Sequence, residues 1–391
     1  MKVKFGEVNL LNGNEAAAAA VVLARPKVIA VYPITPQTAC VEELCNFKAN
    51  GMLDAEIVHA ESEHSAISAC IGAACMGVRT FTATSSQGLA LMHEVLFIAS
   101  GMRLPIVMGV ANRALSAPIN IWNDLSDSIA QSHSSWIQLY CASNQEIFDT
   151  IIQAYRISEE PEVLLPTMVC YDGFILSHLY ERLHLLTQEE VNSYLPEFKL
   201  PFAVELGKRM VLGPLVGPEH YMEFKKSQRD AMQRAKREIR KANKEFFERF
   251  GRCYGDGLLE SYNLEGSNKV VITIGSLAFN FRYYVKKEGG KVGVIRIRSF
   301  RPFPAEELRE AVEGVEKIAV VDRAYEFGLG GALYHEVRSS LFGLEKKINN
   351  FILGLGGKKV RIDDLKFIIK HCGESKNYWI NVHGENVSED G

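Results

Sequence analysis

The chain has 391 residues, of which 47% are hydrophobic and 23% are charged, and its formal net charge is −3. This length and composition are typical of a globular protein with two or three domains. The nearly balanced charge argues against a nucleic acid or an anionic membrane as the main partner.

Targeting and redox signals are weak in this sequence. No apolar run approaches the roughly 20 residues that span a bilayer. The best candidate, Ala16–Ala24, begins late and follows no basic segment, which predicts a helix in a cytoplasmic protein rather than a signal peptide. The eight cysteines form no CxxC pair, so we expect no iron–sulfur cluster or other metal on this chain, and reduced, mostly buried thiols.

Strand-like and helix-like segments alternate through the first 175 residues. Helices are predicted at Glu63–Cys75 and Leu89–Gly101. The predicted strands are apolar on both faces, which is typical of a sheet covered on both sides. The alternation therefore predicts an α/β domain with a doubly wound parallel sheet. Its strands are expected at Val28–Ile34, Glu56–Ala60, Thr80–Thr84, Leu104–Val110, Trp136–Ala142 and Leu165–Tyr171.

The alternation breaks between Ser177 and Gly266. Within this stretch, Glu219–Phe250 predicts one long helix, because apolar residues recur at steps of three or four. Its other faces are dense in Lys, Arg and Glu. Because acidic residues stand among the basic ones, the helix is interpreted as a solvated or subunit-facing linker rather than a nucleic-acid-binding arm.

A second α/β unit begins near Lys269 and again predicts a doubly wound parallel sheet. Ser299–Pro304 is expected to be a stiff connection, and the polar tail beyond Tyr378 is expected to be loose. We therefore expect a first domain at residues 1–200, a helical linker at 201–267 and a second domain at 268–391. The predicted strands of the second domain are Val270–Ile274, Lys291–Arg296 and Lys317–Val321, and its helices are Phe279–Lys287, Ala305–Val312 and Gly330–Leu341.

Some short motifs only imitate functional sites. Gly255-Asp256-Gly257 resembles the start of the metal–diphosphate motif of thiamine diphosphate enzymes, but it follows a charged helix instead of the buried strand that the motif needs. Gly328–Gly331 lacks the third glycine of the dinucleotide fingerprint and predicts a turn at a helix start. His371-Cys372 has no orienting partner visible in the sequence.

Other polar segments follow predicted parallel strands, at the edge where open α/β sheets bind ligands. In the first, prolines on both sides hold Thr35 as a rigidly placed hydroxyl. In the second, Ser62 caps a helix and Glu63 lies near its positive end. In the third, Arg113 offers a guanidinium suited to a carboxylate. Each alone could be a cap or a surface ion pair, but their convergence favours a site. The segments are Tyr32–Thr38, Glu61–Ala66 and Ala111–Pro118.

These segments resemble the alpha subunits of the multi-subunit pyruvate:ferredoxin oxidoreductases, a family of 2-oxoacid:ferredoxin oxidoreductases. The resemblance spans nearly the whole chain and is most specific in the first 175 residues. It implies a thiamine diphosphate pyrimidine-binding domain followed by a domain similar to the C-terminal domain of transketolase, joined by a helical linker. The matching stretches are Tyr32–Thr38, Glu61–Ala66, Phe81–Met92, Asn112–Asp124, Tyr171–Phe174, Arg301–Pro304 and Phe327–Ala332.

The resemblance also implies roles for single residues. Glu63 matches the glutamate that hydrogen-bonds the aminopyrimidine of the cofactor and makes it a proton acceptor. Thr35 and Arg113 match the residues that hold the substrate carboxylate. The cofactor contacts implied by the matching stretches are Tyr32, Pro33, Ile34, Glu63, Ser86 and Gln87.

Partners and cofactors are implied in the same way. In the family, a beta subunit holds Mg²⁺ and the diphosphate of thiamine diphosphate. This agrees with the interpretation that Gly255-Asp256-Gly257 is not a metal–diphosphate motif. [4Fe-4S] clusters sit in the beta subunit and in a ferredoxin-like delta subunit, and a gamma subunit completes a cytoplasmic heterotetramer of anaerobic metabolism. The substrates are a 2-oxoacid, CoA and ferredoxin.

The neutral Thr35 bears on the choice of 2-oxoacid. Oxalate-oxidising relatives carry a cationic residue at this place, so a hydroxyl suits a monocarboxylate with an alkyl tail, and pyruvate is expected. Branched-chain 2-oxoacids are the nearest alternative, because a partner subunit supplies part of the pocket wall. Two further hypotheses stay open at this point: a subunit of a thiamine enzyme that does not use ferredoxin, and a non-catalytic assembly subunit.

Overall fold

The computed structural model describes residues 3–205 and 207–389. The first unit contains β1 (Val8–Leu11), α1 (Gly13–Ala24), β2 (Val28–Val31), α2 (Thr38–Ala49), β3 (Glu56–His59), α3 (Glu63–Cys75), β4 (Thr80–Thr84), α4 (Ser86–Leu91), α5 (His93–Gly101), β5 (Val107–Asn112), α6 (Ser126–Ile129), β6 (Ile137–Tyr140), α7 (Asn144–Ser158), β7 (Thr167–Asp172), β8 (Glu181–His184) and α8 (Gln188–Tyr194).

The chain then continues through a long helix into the second unit. The elements are α9 (Pro218–Phe250), β9 (Leu259–Tyr262), β10 (Lys269–Ile274), α10 (Leu277–Glu288), β11 (Val292–Ile297), β12 (Ser299–Arg301), α11 (Ala305–Ala311), β13 (Lys317–Asp322), β14 (Tyr325–Glu326), β15 (Gly330–Gly331), α12 (Ala332–Ser340), β16 (Lys347–Ile352), a 3-10 turn (Leu355–Gly357), α13 (Ile362–Lys370), β17 (Tyr378–Val382) and β18 (Glu385–Ser388).

The first sheet has the strand order β12-β6-β7-β5-β4-β2-β3. Its neighbours are parallel except at the β12–β6 pair. β4, β5, β6 and β7 are buried at every residue, because helices cover both faces of the sheet. The predicted doubly wound sheet is confirmed, and the carboxyl ends of its parallel strands meet at one edge.

The alanine run forms α1, as predicted, and lies in the core of the first unit. Its residues 16–24 are at most 6% exposed, and they pack against α7 and α2. Small side chains allow this close approach of helices. The helix begins at a reciprocal cap, in which Asn12 Oδ1 accepts from the Glu15 amide (3.0 Å) and the Glu15 carboxylate accepts from the Asn12 amide (2.9 Å).

The second sheet has the order β18-β17-β16-β13-β10-β11-β9, with antiparallel strands only at its two edges. From β10 the chain first moves to β11 on one side. It later returns to β13, β16 and β17 on the other side. The strand order therefore reverses between β10 and β13, which makes the carboxyl edge at this point a topological switch point.

Two local predictions are wrong in the middle of the chain. Ser299–Pro304 is not only a connection, because Ser299–Arg301 forms β12 and pairs antiparallel with β6 of the first sheet. The pairing partner lies far away in sequence, so local periodicity gives no sign of it. Leu89–Gly101 is not one helix but parts of α4 and α5, and a tight hydrogen bond from the Val95 amide to the Met92 carbonyl (2.9 Å) marks the break.

The tail beyond Tyr378 is also ordered, contrary to the prediction. β17 continues the second sheet beside β16, and β18 folds back on β17. Ile380 is 4% exposed, and the Tyr378 ring stacks on Phe351 at 5.6 Å between centroids. Because polar residues alternate with these apolar ones, the sequence pattern did not predict this short hairpin at the edge of the sheet. β16 and α13 escaped prediction as well.

The long helix α9 begins one residue before the predicted helix and ends where predicted. Its apolar stripe packs against Ile137, Ile157 and Leu165 of the first unit. Charged residues occupy the outer faces, as in the ion pair between Arg240 and Asp256 (2.9 Å). In the described part of the chain, no helix is long and apolar enough to cross a bilayer. The buried stripe consists of Ala231, Ala235, Ile239 and Ala242.

A buried charge cluster joins the two units. Glu146 lies in the first turn of α7 and is 1% exposed. Its carboxylate binds Arg296 at 2.9 Å and Arg298 at 2.9 Å, and both guanidinium groups are almost fully buried. Arg298 also donates to the Gly257 carbonyl (2.8 Å). Since the cluster draws on both units, it fixes their relative position.

Candidate functional site

The loop after β2 carries the first group of predicted site residues. Tyr32, Pro33 and Thr35 are exposed, and Ile34 is half-buried. The Thr35 carbonyl accepts a hydrogen bond from Arg113 Nη1 over 3.0 Å. The structure therefore brings the first and third polar segments together, although 78 residues separate the two partners.

Glu63 is the first residue of α3. The Ser62 hydroxyl accepts from the Ser65 amide (3.2 Å) and caps the helix, as predicted. Glu63 is 6% exposed, and its carboxylate receives no hydrogen bond from any residue that the structure describes. The positive end of α3 favours its charge, but a buried carboxylate without a donor is costly. The group is thus suited to a donor from outside the chain.

Gly88, in the first turn of α4 after β4, lies against this carboxylate. A Cβ at Gly88 would lie 2.5 Å from Glu63 Oε1 and 2.5 Å from Thr84 Oγ1. At these distances a side chain at this position would force the Glu63 carboxylate, Thr84 or α4 to move, so the glycine allows α4 to lie close to Glu63 in its present position. Sequence reasoning missed Gly88, because a glycine inside a helix pattern does not show which neighbour it accommodates.

Arg113 follows β5 and is 7% exposed. Its Nε donates to the Asn120 carbonyl (2.9 Å) and its Nη1 to Thr35. Both acceptors are neutral, and within the described chain the guanidinium forms no ion pair. A buried guanidinium held by carbonyls keeps its charge and further N–H donors for an anion, and a carboxylate matches its geometry.

Asp127 is a second residue that the sequence did not reveal. It is fully buried, and its Oδ2 accepts from the backbone amides of Ser86 (2.9 Å) and Arg113 (3.0 Å). Its Oδ1 accepts from Asn112 Nδ2 (2.8 Å). One carboxylate thereby ties the loop after β4 to the loop after β5. In sequence it is one aspartate between two serines, which looks like an ordinary turn.

Burial raises the pKa of Asp127 to about 6, although the hydrogen bonds from Asn112, Ser86 and Arg113 act in the opposite direction. The nearby Asp124 carboxylate raises it further. The ionisation of Asp127 therefore falls closer to neutral pH than that of an ordinary aspartate.

The remaining predicted contacts, Ser86 and Gln87, open α4. The Ser86 hydroxyl lies 2.6 Å from the Ala114 carbonyl and 2.6 Å from Gln87 Oε1, so neighbouring groups of the chain engage it. Ser86 also has a positive φ of 48°, a backbone conformation unusual for a non-glycine residue. Its anchoring by Asp127 accounts for this geometry, and Gln87 remains half-buried beside it.

The dismissed motifs have structural roles. The Asp256 carboxylate pairs with Arg240 and accepts from the backbone amides of Leu258 and Leu259 (both 2.9 Å). Gly331 caps α12, as the predicted helix-start turn required. All eight cysteines are free thiols, five of them buried. No cluster of metal-ligating side chains occurs at residues 3–205 or 207–389.

Family models match both units of the chain. Residues 19–244 match the thiamine diphosphate-binding domain of pyruvate flavodoxin/ferredoxin oxidoreductases. Residues 267–365 match core domain II of pyruvate:ferredoxin oxidoreductase. Together with the two parallel sheets, these matches define the class of the protein: an oxidoreductase with a thiamine diphosphate-binding domain.

Curated relatives cover nearly the whole chain. Pyruvate synthase subunit PorA of Methanocaldococcus jannaschii is 53% identical over 384 residues, which are 96% of this chain and 98% of that protein. The PorA subunit of Methanothermobacter thermautotrophicus is 45% identical, over 97% of this chain and 99% of that protein. Ketoisovalerate oxidoreductase subunit VorA of Pyrococcus horikoshii is 43% identical, over 92% of each. The chain belongs to the pyruvate:ferredoxin oxidoreductase family and is a subunit of a multi-subunit enzyme.

A solved structure shows the same fold. It is the 2-oxoglutarate:ferredoxin oxidoreductase from Magnetococcus marinus with 2-oxoglutarate, coenzyme A and succinyl-CoA bound. The TM-score is 0.73 at 19% identity, and the match covers 93% of this chain. The chain spans 65% of the length of that solved chain.

Proposed function

We propose that this chain is the alpha subunit of a thiamine diphosphate-dependent 2-oxoacid:ferredoxin oxidoreductase. The reaction is the reversible oxidative decarboxylation of pyruvate with CoA to acetyl-CoA and CO₂, with electrons passed to ferredoxin. One observation carries the proposal. Within the described residues, the buried Glu63 carboxylate has no donor and the buried Arg113 guanidinium has no counter-ion, and both lie at the same edge of one parallel sheet.

Glu63 suits the aminopyrimidine of the cofactor. Its unpartnered carboxylate would accept a hydrogen bond from a protonated ring nitrogen and would hold that proton in place. Bound thiamine diphosphate supplies the carbon nucleophile and the electron sink that decarboxylation needs. A positioned acid or base of this kind contributes about 10²- to 10⁴-fold in rate. The free carboxylate and the close approach of Gly88 support this role.

Arg113 suits the carboxylate of the 2-oxoacid. Its free N–H groups would bind that carboxylate, while the Thr35 and Asn120 carbonyls hold the guanidinium in place. The Thr35 hydroxyl would provide a further, neutral donor. We assign the cofactor contacts to the surrounding loops, with Tyr32, Pro33, Ile34, Ser86 and Gln87 as their members.

The remaining cofactors belong to partner chains in this proposal. A beta subunit would hold Mg²⁺ and the diphosphate, beta and a ferredoxin-like delta subunit would hold [4Fe-4S] clusters, and a gamma subunit would complete the cytoplasmic complex. The free, mostly buried cysteines of this chain support that division. The domain division 1–200, 201–267 and 268–391 belongs to the same proposal.

The substrate is tested on the purified native complex. We expect CoA-dependent reduction of a viologen or ferredoxin, with kcat/KM highest for pyruvate among pyruvate, 2-oxoisovalerate and 2-oxoglutarate. The resemblance to the VorA subunit favours 2-oxoisovalerate as the second candidate. If kcat/KM is about tenfold or more higher for 2-oxoisovalerate than for pyruvate, the branched-chain acid and not pyruvate is the substrate. Activity without ferredoxin-type acceptors would contradict the reaction class.

A further inference from the structure

The loop that begins with Arg113 is held in place by both units of the chain. It comprises residues 113–125, between β5 and α6, and is called the Arg113 loop below. Asp127 of the first unit fixes its start by accepting from the Arg113 amide (3.0 Å). The Ala114 amide donates to the Trp122 carbonyl (3.0 Å), which closes the loop on itself. This internal hydrogen bond does not anchor the far part of the loop, which therefore depends on other contacts.

Gly356, in the 3-10 turn of the second unit, binds this far part with both of its backbone polar groups. Its carbonyl accepts from Asn120 Nδ2 (3.1 Å), and its amide donates to the Asp124 carboxylate (3.2 Å). At the end of the loop, the Leu125 amide donates to the carbonyl of Arg323, which follows β13 (2.8 Å). All three contacts run between the two units, so the second unit fixes the far part of the Arg113 loop.

The turn lies close to the loop because position 356 is a glycine. Gly356 has a φ of +58°, a backbone conformation that favours glycine, and a Cβ there would lie 2.6 Å from Asn120 Nδ2. A Cβ at the neighbouring Gly357 would run into the Trp122 side chain. A side chain at either position would therefore push the Arg113 loop away from its present position.

Asn120 connects the turn to the guanidinium. Its side chain donates to Gly356, and its own carbonyl accepts from Arg113 Nε (2.9 Å). Asn120 Oδ1 also accepts from the Trp122 amide (2.7 Å), which restricts rotation of the side chain. If Asn120 moved, Arg113 Nε would lose its acceptor, whereas the Thr35 carbonyl in the first unit would stay in place. Because the guanidinium is planar, this loss would change the direction of all its N–H groups.

We propose that the second unit positions Arg113 through Asn120 and thereby sets the affinity of the enzyme for the 2-oxoacid, an assignment that rests on the proposed function. Asn120 and Gly356 are positioning residues, because they act on the substrate only through Arg113. The second unit then has a role in substrate binding, although Glu63 and Arg113 both belong to the first unit. A guanidinium that is oriented before binding costs less to order, so its displacement should appear in KM more than in kcat.

The test uses the assembled complex with Gly356→Ala, and with Asn120→Ala as a second variant that leaves the turn unchanged. We expect each variant to raise KM for pyruvate about three- to tenfold, with kcat and the Kd of thiamine diphosphate within about twofold of the wild type. Gly354→Ala is the matched control. Gly354 also has a positive φ (+75°), but a Cβ there would be no closer than 3.5 Å to its nearest neighbours, which belong to the second unit. It should leave KM unchanged.

A double-mutant cycle decides whether the effect passes through Arg113. In the Arg113→Ala background, Gly356→Ala should change KM by less than about twofold, because the group that it displaces is gone. The proposal is overturned if Gly356→Ala and Asn120→Ala both leave KM within about twofold of the wild type. It is also overturned if Gly356→Ala raises KM equally with and without Arg113.

Hydrogen exchange separates this proposal from the proposed function, because it needs no turnover. Amides of residues 113–125 in the complex should exchange about tenfold faster in Gly356→Ala and Asn120→Ala than in the wild type, and at the wild-type rate in Gly354→Ala. If the wild-type complex oxidises no 2-oxoacid, the proposed function fails, whereas exchange still decides whether the second unit holds the Arg113 loop. Equal exchange in the wild type and both variants overturns that contact.

Discussion

Arg113 Nη1 donates to the carbonyl oxygen of Thr35 over 3.0 Å, across the ends of two strands that are not neighbours in the sheet. This contact directs a buried cation toward the loop after β2 and leaves it without a carboxylate partner in the described chain. A side chain held in this way is preorganised for an external anion, because its position does not depend on the ligand.

Replacement of this guanidinium should weaken substrate binding. We expect Arg113→Ala to raise KM for the 2-oxoacid by about tenfold or more, because a charge-assisted contact is lost, with a smaller effect on kcat. Steady-state kinetics of the reconstituted complex measure both constants. Arg229→Ala, at an exposed position of α9, is the control and should change neither. An unchanged KM in Arg113→Ala would rule out the carboxylate contact.

Loss of the charge at Glu63 should remove most of the activity. Glu63→Gln keeps the size of the side chain but no longer stabilises a protonated ring, so pyruvate-dependent viologen reduction should fall by about 10²-fold or more. Glu42→Gln, on the exposed face of α2, should keep full activity. If Glu63→Gln retains more than about a tenth of the activity, the assigned role is wrong.

A side chain at Gly88 should displace the Glu63 carboxylate from its present position. In Gly88→Ala the new methyl group would lie 2.5 Å from Glu63 Oε1, so the carboxylate or α4 must move. We expect an activity loss of about tenfold or more with a folded protein. Gly72→Ala is a matched control in α3 itself, where a Cβ meets nothing within 4 Å. It should keep activity and gain up to about 1 kcal/mol in the free energy of unfolding. Equal activities of the two variants would contradict the argument.

The buried cluster around Glu146 should matter for stability rather than for chemistry. Glu146→Gln leaves Arg296 and Arg298 buried without their shared carboxylate, which should cost about 3–5 kcal/mol in the free energy of unfolding. Denaturant titration measures this loss. Glu313→Gln, an exposed carboxylate of the second unit, should cost less than about 0.5 kcal/mol. A similar small loss in Glu146→Gln would show that the cluster does not join the units energetically.

The pKa of Asp127 predicts a pH dependence with a definite sign. Burial raises this pKa from 3.8 to about 6, so the folded state binds the proton more tightly than the unfolded state does. The stability contribution of Asp127 is thus fully present below its unfolded pKa and is lost as pH rises toward about 6. The difference in unfolding free energy between wild type and Asp127→Asn should therefore fall over this range.

The pH dependence is measured by denaturant titrations of both proteins between about pH 4 and 7. Asp54 provides a contrasting control, because its hydrogen bond from Lys27 lowers its pKa. Its contribution is present above the unfolded pKa and is lost only as pH falls, so the wild type minus Asp54→Asn difference should not decrease with rising pH. A rising difference for Asp127→Asn would contradict the raised pKa.

The amino-acid sequence by itself determined the two parallel-sheet units, the long helix between them and the residues that follow the strands. Strands that are covered on both faces consist mainly of apolar residues, which makes them visible in the sequence. Capping residues such as Ser62 show where helices begin. Glu63, Thr35 and Arg113 could be proposed as site residues from the local sequence and the family resemblance alone.

Only the tertiary structure decided how these elements meet. The pairing of β12 with β6, the approach of Gly88 to Glu63 and the linkage of two loops by Asp127 join residues that are distant or locally unremarkable in sequence. Local periodicity reports which face of an element is buried, but not which neighbour covers it, and the proposed cofactor and substrate contacts depend on those neighbours.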